Sequence, residues 1–203
     1  MSSKPKIAIV YYSMYGHVRT LALEEKKGLE SAGCDVTLLR CPETLSAEVL
    51  GKMGAPGIGK DDEEASAAML ADYDGLMFGI PTRFGMAPAQ VKALMDSTGG
   101  LWEKGALVGK PAGLFFSTGT QGGGQETTAL TFVTQLTHHG MVFVPLGYAT
   151  PKLFNMDEVH GGSPYGAGTL AGGDGSRQPS TLEKEIAEAH GAHFGKIAAK
   201  LAK

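Results

Sequence analysis

Little in this sequence provides for disulfide chemistry, membrane insertion or bulk electrostatic recognition. Its 203 residues include only two cysteines, Cys34 and Cys41. Two cannot build a disulfide framework, and no Cys-x-x-Cys or Cys/His metal spacing surrounds them. They read as reduced thiols at the two ends of one strand, as in an intracellular protein. The apolar run Ile7–Tyr12 is too short for a signal core or a membrane span. Ser2 excludes N-myristoylation, and the terminal Lys-Leu-Ala-Lys is no prenylation box. The expectation is a soluble cytoplasmic protein without a membrane anchor. With 18 Lys plus Arg against 21 Asp plus Glu, the net charge of −3 gives no general field for gripping nucleic acid. Tryptophan occurs once, at Trp102.

Hydrophobic residues make up 42% and charged residues 19%, so the chain can fold around a core, and its length suits one domain over residues 1–203. Glycine is the excess: 30 residues, about twice the usual ~7%. These glycines sit in a few loops with no collagen period.

Lys6–Tyr12 is a continuous β-rich run, as a strand covered on both faces requires. A helical stretch follows with Val18, Leu21, Ala22 and Leu29 near one face, stopped by Gly33. Asp35–Arg40, Asp74–Ile80, Pro111–Phe116 and Met141–Val144 are further strands. Between them lie a helix with Ala87, Val91, Leu94 and Met95 on one stripe, and another from Gln125 carrying Leu130, Val133 and Leu136. Residues 42–64 read as an insertion with one short helix, and Asp61–Glu64 as a solvated acidic run. Ser180-x-x-Glu183 is a capping box opening the last helix. Strands alternating with helices predict an α/β fold, a flavodoxin-like doubly wound five-stranded parallel sheet of order 2-1-3-4-5 with long loop insertions. The connection from Pro145 to Pro179 is far longer than the usual ~4–6 residues. It holds Tyr148, Phe154 and Tyr165 and little net charge, which favours ordered packing.

Ligands of such sheets bind beyond the carboxyl ends of the strands. Loops of unusual composition leave the first, third and fourth strands: Ser13–His17, Pro81–Gly85 and Ser117–Gly124. In the expected order these strands are neighbours, so the loops converge on one pocket. The first offers the Ser13 hydroxyl, close backbone approach at Gly16, and N–H groups backed by a helix dipole. That suits a phosphate, although a plain turn with a helix cap would look alike. Neither a Walker loop nor the GxGxxG fingerprint is present. Ser117, Thr118 and Thr120 with three consecutive glycines can lie beside a planar ring, or form a flexible turn. Phe84 either stacks on a ring or joins the core. Trp102 either walls an aromatic pocket or packs plainly. His138 and His139 close a helix without a third ligand at metal spacing, so no metal site is expected. No G-x-S-x-G elbow occurs.

The ordered set of motifs resembles the WrbA-type, flavodoxin-like NAD(P)H:quinone oxidoreductases. The matching pieces are Tyr11-Tyr12-Ser13-Met14-Tyr15-Gly16-His17, Pro81-Thr82-Arg83-Phe84-Gly85, Gly99-Gly100-Leu101-Trp102 and the run Ser117–Glu126. His138-His139-Gly140-Met141 and the stretch Gly161–Pro179 complete it. The resemblance implies a non-covalent FMN, its phosphate on Ser13, Met14, Tyr15, Gly16, His17 and Val18. The ring would lie between Thr82, Arg83 and Phe84 on one side and Ser117, Thr118, Gly119, Thr120, Gln121 and Gly122 on the other, with His138 also reaching it. Tyr15 would touch NAD(P)H and Trp102 the quinone. No side chain need be a catalytic acid or base. A homotetramer is implied, reducing quinones by two electrons in ping-pong fashion. A one-electron flavodoxin-type carrier and a non-catalytic flavin-binding scaffold are the alternatives; the modest charge and long loops speak against the carrier.

Overall fold

The structure is a computed structural model and describes residues 4–57 and 59–202. In chain order its elements are β1 (Lys6–Tyr11), α1 (His17–Ser31), β2 (Asp35–Arg40), α2 (Ala47–Lys52), β3 (Glu63–Glu64), β4 (Gly75–Pro81), α3 (Ala89–Asp96), α4 (Gly99–Glu103), β5 (Pro111–Thr118), α5 (Gln125–His138), β6 (Val142–Phe143), β7 (Gly168–Leu170) and α6 (Thr181–Leu201). The sheet runs β3-β2-β1-β4-β5-β6, with β7 also pairing β5, and every pair is parallel.

The expected five strands are seven. One addition is β3, formed within the acidic stretch read as solvated. Asp62 just before it is held by Arg19, with Nε–Oδ2 at 2.8 Å and Nη2–Oδ1 at 3.1 Å, and accepts the Tyr11 hydroxyl. The other arises because the expected fifth strand is split. β6 pairs with Pro111 and Ala112 at the start of β5, and β7 with Phe116–Thr118 at its end. Residues 144–167 leave the sheet between them. The long connection is therefore an excursion from an edge strand that returns to finish it.

Two-residue alternation assigns each strand's side chains to two cores. Val10, Phe78, Ile80, Leu114 and Phe116 pack with Val91, Leu94, Phe132 and Leu136 of α3 and α5. Ile7, Ile9, Met77 and Phe115 pack on the other face with Leu21, Leu29, Ile186 and Phe194 of α1 and α6. Leu130, placed by the sequence on the inner stripe of its helix, is half exposed, because Thr128, Ala129, Phe132 and Leu136 form the buried face instead. Helices α1 and α6 touch backbone to backbone: a Cβ at Gly28 would collide with the Glu188 carbonyl, and one at Gly191 with that of Glu25. α1 is thereby fixed with its N-terminus at the carboxyl ends of β1 and β4.

Candidate functional site

Loops 13–17, 81–85 and 117–124 do converge. They border a cavity of about 250 Å³ lined by Ser13, Met14, Tyr15, His17, Val18, Thr82, Arg83, Ser117, Thr118 and Gly119, together with Pro81, Ala171 and Gly175. Each loop is held by its own bonds. Gly16 turns the chain into α1 at φ +99°, a left-handed conformation costly for any side chain. The Ser13 hydroxyl accepts from Arg19 N at 3.2 Å. Among the described residues, the N–H groups of Met14, Tyr15, Gly16, His17 and Val18 donate to no other part of the chain. A row of free donors at the start of a fifteen-residue helix is a cradle for a phosphate. No carboxylate lines the cavity among the described residues, and Arg83 adds positive charge.

Thr82 is locked to α5 through Thr128, Oγ1 to Oγ1 at 2.5 Å, and its N–H donates to the Ser117 carbonyl at 2.9 Å. Thr118 Oγ1 donates to the Thr120 carbonyl at 2.8 Å, curling the glycine loop back on β5. The N–H groups of Gly119, Thr120, Gln121 and Gly122 donate to nothing among the described residues, leaving donors for a heterocycle's carbonyls and ring nitrogens. The donor set thus fits both ends of FMN: anion-binding N–H groups at one loop, and flat glycine backbone at the other.

Several predicted site residues stand elsewhere. Phe84 is fully exposed at φ +55°, an uncommon conformation for an aromatic residue. It stands at the rim as an unpartnered apolar platform beside the exposed Met86. Gln121 and Gly122 border a neighbouring cleft of about 390 Å³ at the start of α5. Trp102 lies not in a loop but in α4, 61% exposed. Gly105 N donates to its carbonyl, and the chain enters β5 a few residues later. Trp102 is therefore near the amino end of β5, whose eight residues span about 26 Å. His138 is exposed at the far end of fourteen-residue α5, about 20 Å from the loops. A single chain brings neither Trp102 nor His138 to its own cavity; both sit at the opposite end of the sheet. The second histidine, His139, is buried, with Nε2 2.8 Å from Thr98 Oγ1.

A family model described as NADPH-dependent FMN reductase matches residues 5–153. The chain belongs to this family. It is 60% identical to the Quinone-oxidoreductase QR2 of Triphysaria versicolor over 97% of this chain and 96% of that protein. It is 56% identical to the NAD(P)H quinone oxidoreductase PST3 of Candida albicans, over 97% and 99%. The crystal structure of the flavodoxin, WrbA-like protein from Agrobacterium tumefaciens superposes at TM-score 0.68 with 22% identity, covering 97% and 99% of the two chains, and so shares the fold.

Sequence reasoning missed that this reductase builds part of its cavity from the returning excursion. Ala171 and Gly175 reach it because a buried hub pins residues 159–183. The Glu183 carboxylate is fully buried and accepts from Gly161 N (2.9 Å), Leu170 N (3.2 Å), Thr169 Oγ1 (2.8 Å), Ser180 N (2.8 Å) and Arg177 Nη1 (2.9 and 3.0 Å). Arg177 also donates to the carbonyls of Leu170 and Val159. Its own carbonyl lies 2.7 Å from His17 Nε2, which binds the excursion to the phosphate loop. Gln125 repeats the device: Nε2 donates to Thr118 Oγ1 and the Thr169 carbonyl, and Oε1 accepts from Gly162 N. The capping box Ser180–Glu183 was legible; that its glutamate is also this hub was not.

Proposed function

We propose that the protein is an FMN-dependent NAD(P)H:quinone oxidoreductase that reduces quinones to hydroquinones by two electrons. The convergence of a free-donor phosphate cradle, a glycine-loop wall and an exposed aromatic rim on one cavity carries this reading. The N–H groups of Met14–Val18 and the Ser13 hydroxyl hold the phosphate. Thr82 and Arg83 border the ring on one side and Ser117, Thr118 and Gly119 on the other. When bound, FMN supplies the acceptor and donor of hydride. Donors of the glycine loop and the Arg83 guanidinium stabilise negative charge developing over the cavity, where no carboxylate opposes them. Tyr15 and Phe84 offer apolar faces to flat substrates at the open side of the cavity. Nicotinamide donor and quinone share that side and so bind in turn.

The assembly is a homotetramer in which a neighbouring copy brings Trp102 and His138 to the open side of the cavity. The exposure of Trp102, with Val108 near the same end of the sheet, supports a covered surface there. The compartment is the cytoplasm, in keeping with two buried free thiols. No described helix is long and apolar enough to cross a membrane.

The test is direct. The purified protein should carry or take up FMN and oxidise NADH or NADPH when benzoquinone is present, with parallel-line double-reciprocal plots. Slow donor oxidation with fast exchange to a redox protein would make it a carrier, and bound flavin without turnover a scaffold.

A further inference from the structure

The flavin cradle is not the largest cavity. One of about 540 Å³ lies beyond the carboxyl ends of β1 and β2, under α2. It falls within the range of small-molecule sites. Its walls include Met14, Leu50 and Ala55, with Tyr12, Arg40 and Glu43 as polar groups. Ser13 and Met14 line both cavities, so the two stand back to back across one stretch of chain. Most of the polar groups are already spent. Glu43 accepts from the Tyr12 hydroxyl at 2.7 Å, from Gln90 Nε2 at 2.8 Å, and from Thr44 N and Leu45 N. Arg40 donates through Nη2 to Glu64 at 2.8 Å, but its Nε–H is buried without a partner among the described residues. Lys60, which also lines the cavity, makes no ion pair with a described residue, and a cation beside apolar walls suits a ligand with acceptors on a flat, largely apolar body.

Two features join this cavity to the flavin side. The Tyr15 hydroxyl donates to the Met53 carbonyl at 3.1 Å, so its ring spans the rim between cradle and α2. Arg83 lines the flavin cavity, acts electrostatically on Tyr12 of the second one, and makes no ion pair with a described residue. Its guanidinium donates to the Thr82 carbonyl and faces no carboxylate of the described residues in the flavin cavity, which suits a pyrophosphate.

We propose that the cavity under α2 seats the adenosine end of the nicotinamide donor, with the pyrophosphate on Arg83 and the nicotinamide on the flavin side of Tyr15; this rests on the NAD(P)H-dependent activity proposed above. The Lys60 ammonium meets a nitrogen or oxygen acceptor of the adenosine, and Met14, Leu50 and Ala55 cover the purine. A quinone has no counterpart for this cavity. One end of the donor is thus held while the shared open side stays unspecialised enough for quinones of varied shape.

Ala47→Trp tests this. Ala47 lines the cavity, is exposed, and belongs to neither the core nor the flavin cradle. In the FMN-loaded protein with benzoquinone, the KM for NADH and NADPH should rise about tenfold, since an indole now occupies space the adenosine needs. The KM for reduced nicotinamide mononucleotide, which lacks adenosine, and that for benzoquinone should not move. An equal change for every donor, or for none, overturns the assignment. A second measurement needs no turnover. Adenosine diphosphate added to the FMN-loaded protein should shift the amide resonances of Leu50 and Ala55, and Ala47→Trp should abolish the shift. Unmoved Leu50 and Ala55 resonances overturn the subsite even in an active enzyme; shifts in a protein that reduces no quinone keep the subsite and refute the activity.

Discussion

Removing the Arg177 side chain should weaken FMN binding although Arg177 itself does not line the cavity. In Arg177→Ala, the Glu183 carboxylate stays buried but loses its only ionic partner among the described residues, while four neutral donors remain. Breaking a fully buried pair costs about 3–5 kcal/mol. Arg177 is 29% exposed, and the remaining donors soften the loss, so about 2 kcal/mol is the better figure. For a chain of this size that lowers Tm by about 4–8 °C. The carbonyls of Leu170 and Val159 lose their donor at the same time, which frees the stretch carrying Ala171 and Gly175. If binding must restore that stretch, most of the 2 kcal/mol reappears as a ten- to roughly thirtyfold rise in the FMN Kd. Flavin fluorescence titration beside thermal unfolding of the apoprotein measures both. Arg177→Lys, which keeps the charge but not the fan of donors, should recover part of each. A lower Tm with an FMN Kd within about twofold of wild type would show that the excursion staples the fold without shaping the cradle.

Gly16→Val should also lower FMN affinity, because a β-branched residue resists φ +99° and its side chain crowds the free N–H groups; unchanged affinity in a folded variant would remove this loop from the phosphate site. Trp102→Ala should raise the KM for quinone more than the Kd for FMN, and the reverse ranking would take Trp102 out of the substrate wall. The Arg19 guanidinium holds the Asp62 carboxyl below its ordinary 3.8, so their pairing stabilises above that pH and fades as pH falls through the lowered value. The stability gap between wild type and Asp62→Asn, followed by urea unfolding, should accordingly close in acid, and a gap independent of pH would contradict the pairing. Burial pushes the Cys41 thiol up to about 12 and raises that of Cys34, so neither should react with a disulfide reagent at neutral pH until urea is added.

What could be read in advance follows from how far along the chain each cause acts. The buried strands Lys6–Tyr11 and Pro111–Thr118 announce themselves by continuous apolar runs, and the three polar loops by composition alone. Of the split edge strand only β6 did, within the run Met141–Val144; β7 is three residues long and carries no pattern of its own. The two are strands only because β5 offers unpaired backbone at both ends. The exposure of Phe84 was hidden for a related reason: aromatic character signals burial or stacking, whereas its positive φ, visible only in the folded loop, turns it outward.

The Glu183 hub shows a different limit. Ser180-x-x-Glu183 is a local motif with a complete local explanation, and nothing in its spacing hints that the same carboxylate accepts from residues 161, 169, 170 and 177. A satisfied short-range pattern therefore does not exhaust what a residue does. Trp102 and His138 lie one step further out. Their motifs pointed to flavin chemistry, yet within one chain the length of β5 and α5 holds them at the wrong end of the sheet. In the homotetramer proposed above, contact with another copy would reconcile motif with position and link substrate binding to assembly: dilution into monomers should then cost quinone turnover before it costs FMN, since the free donors of the phosphate loop all lie in one chain.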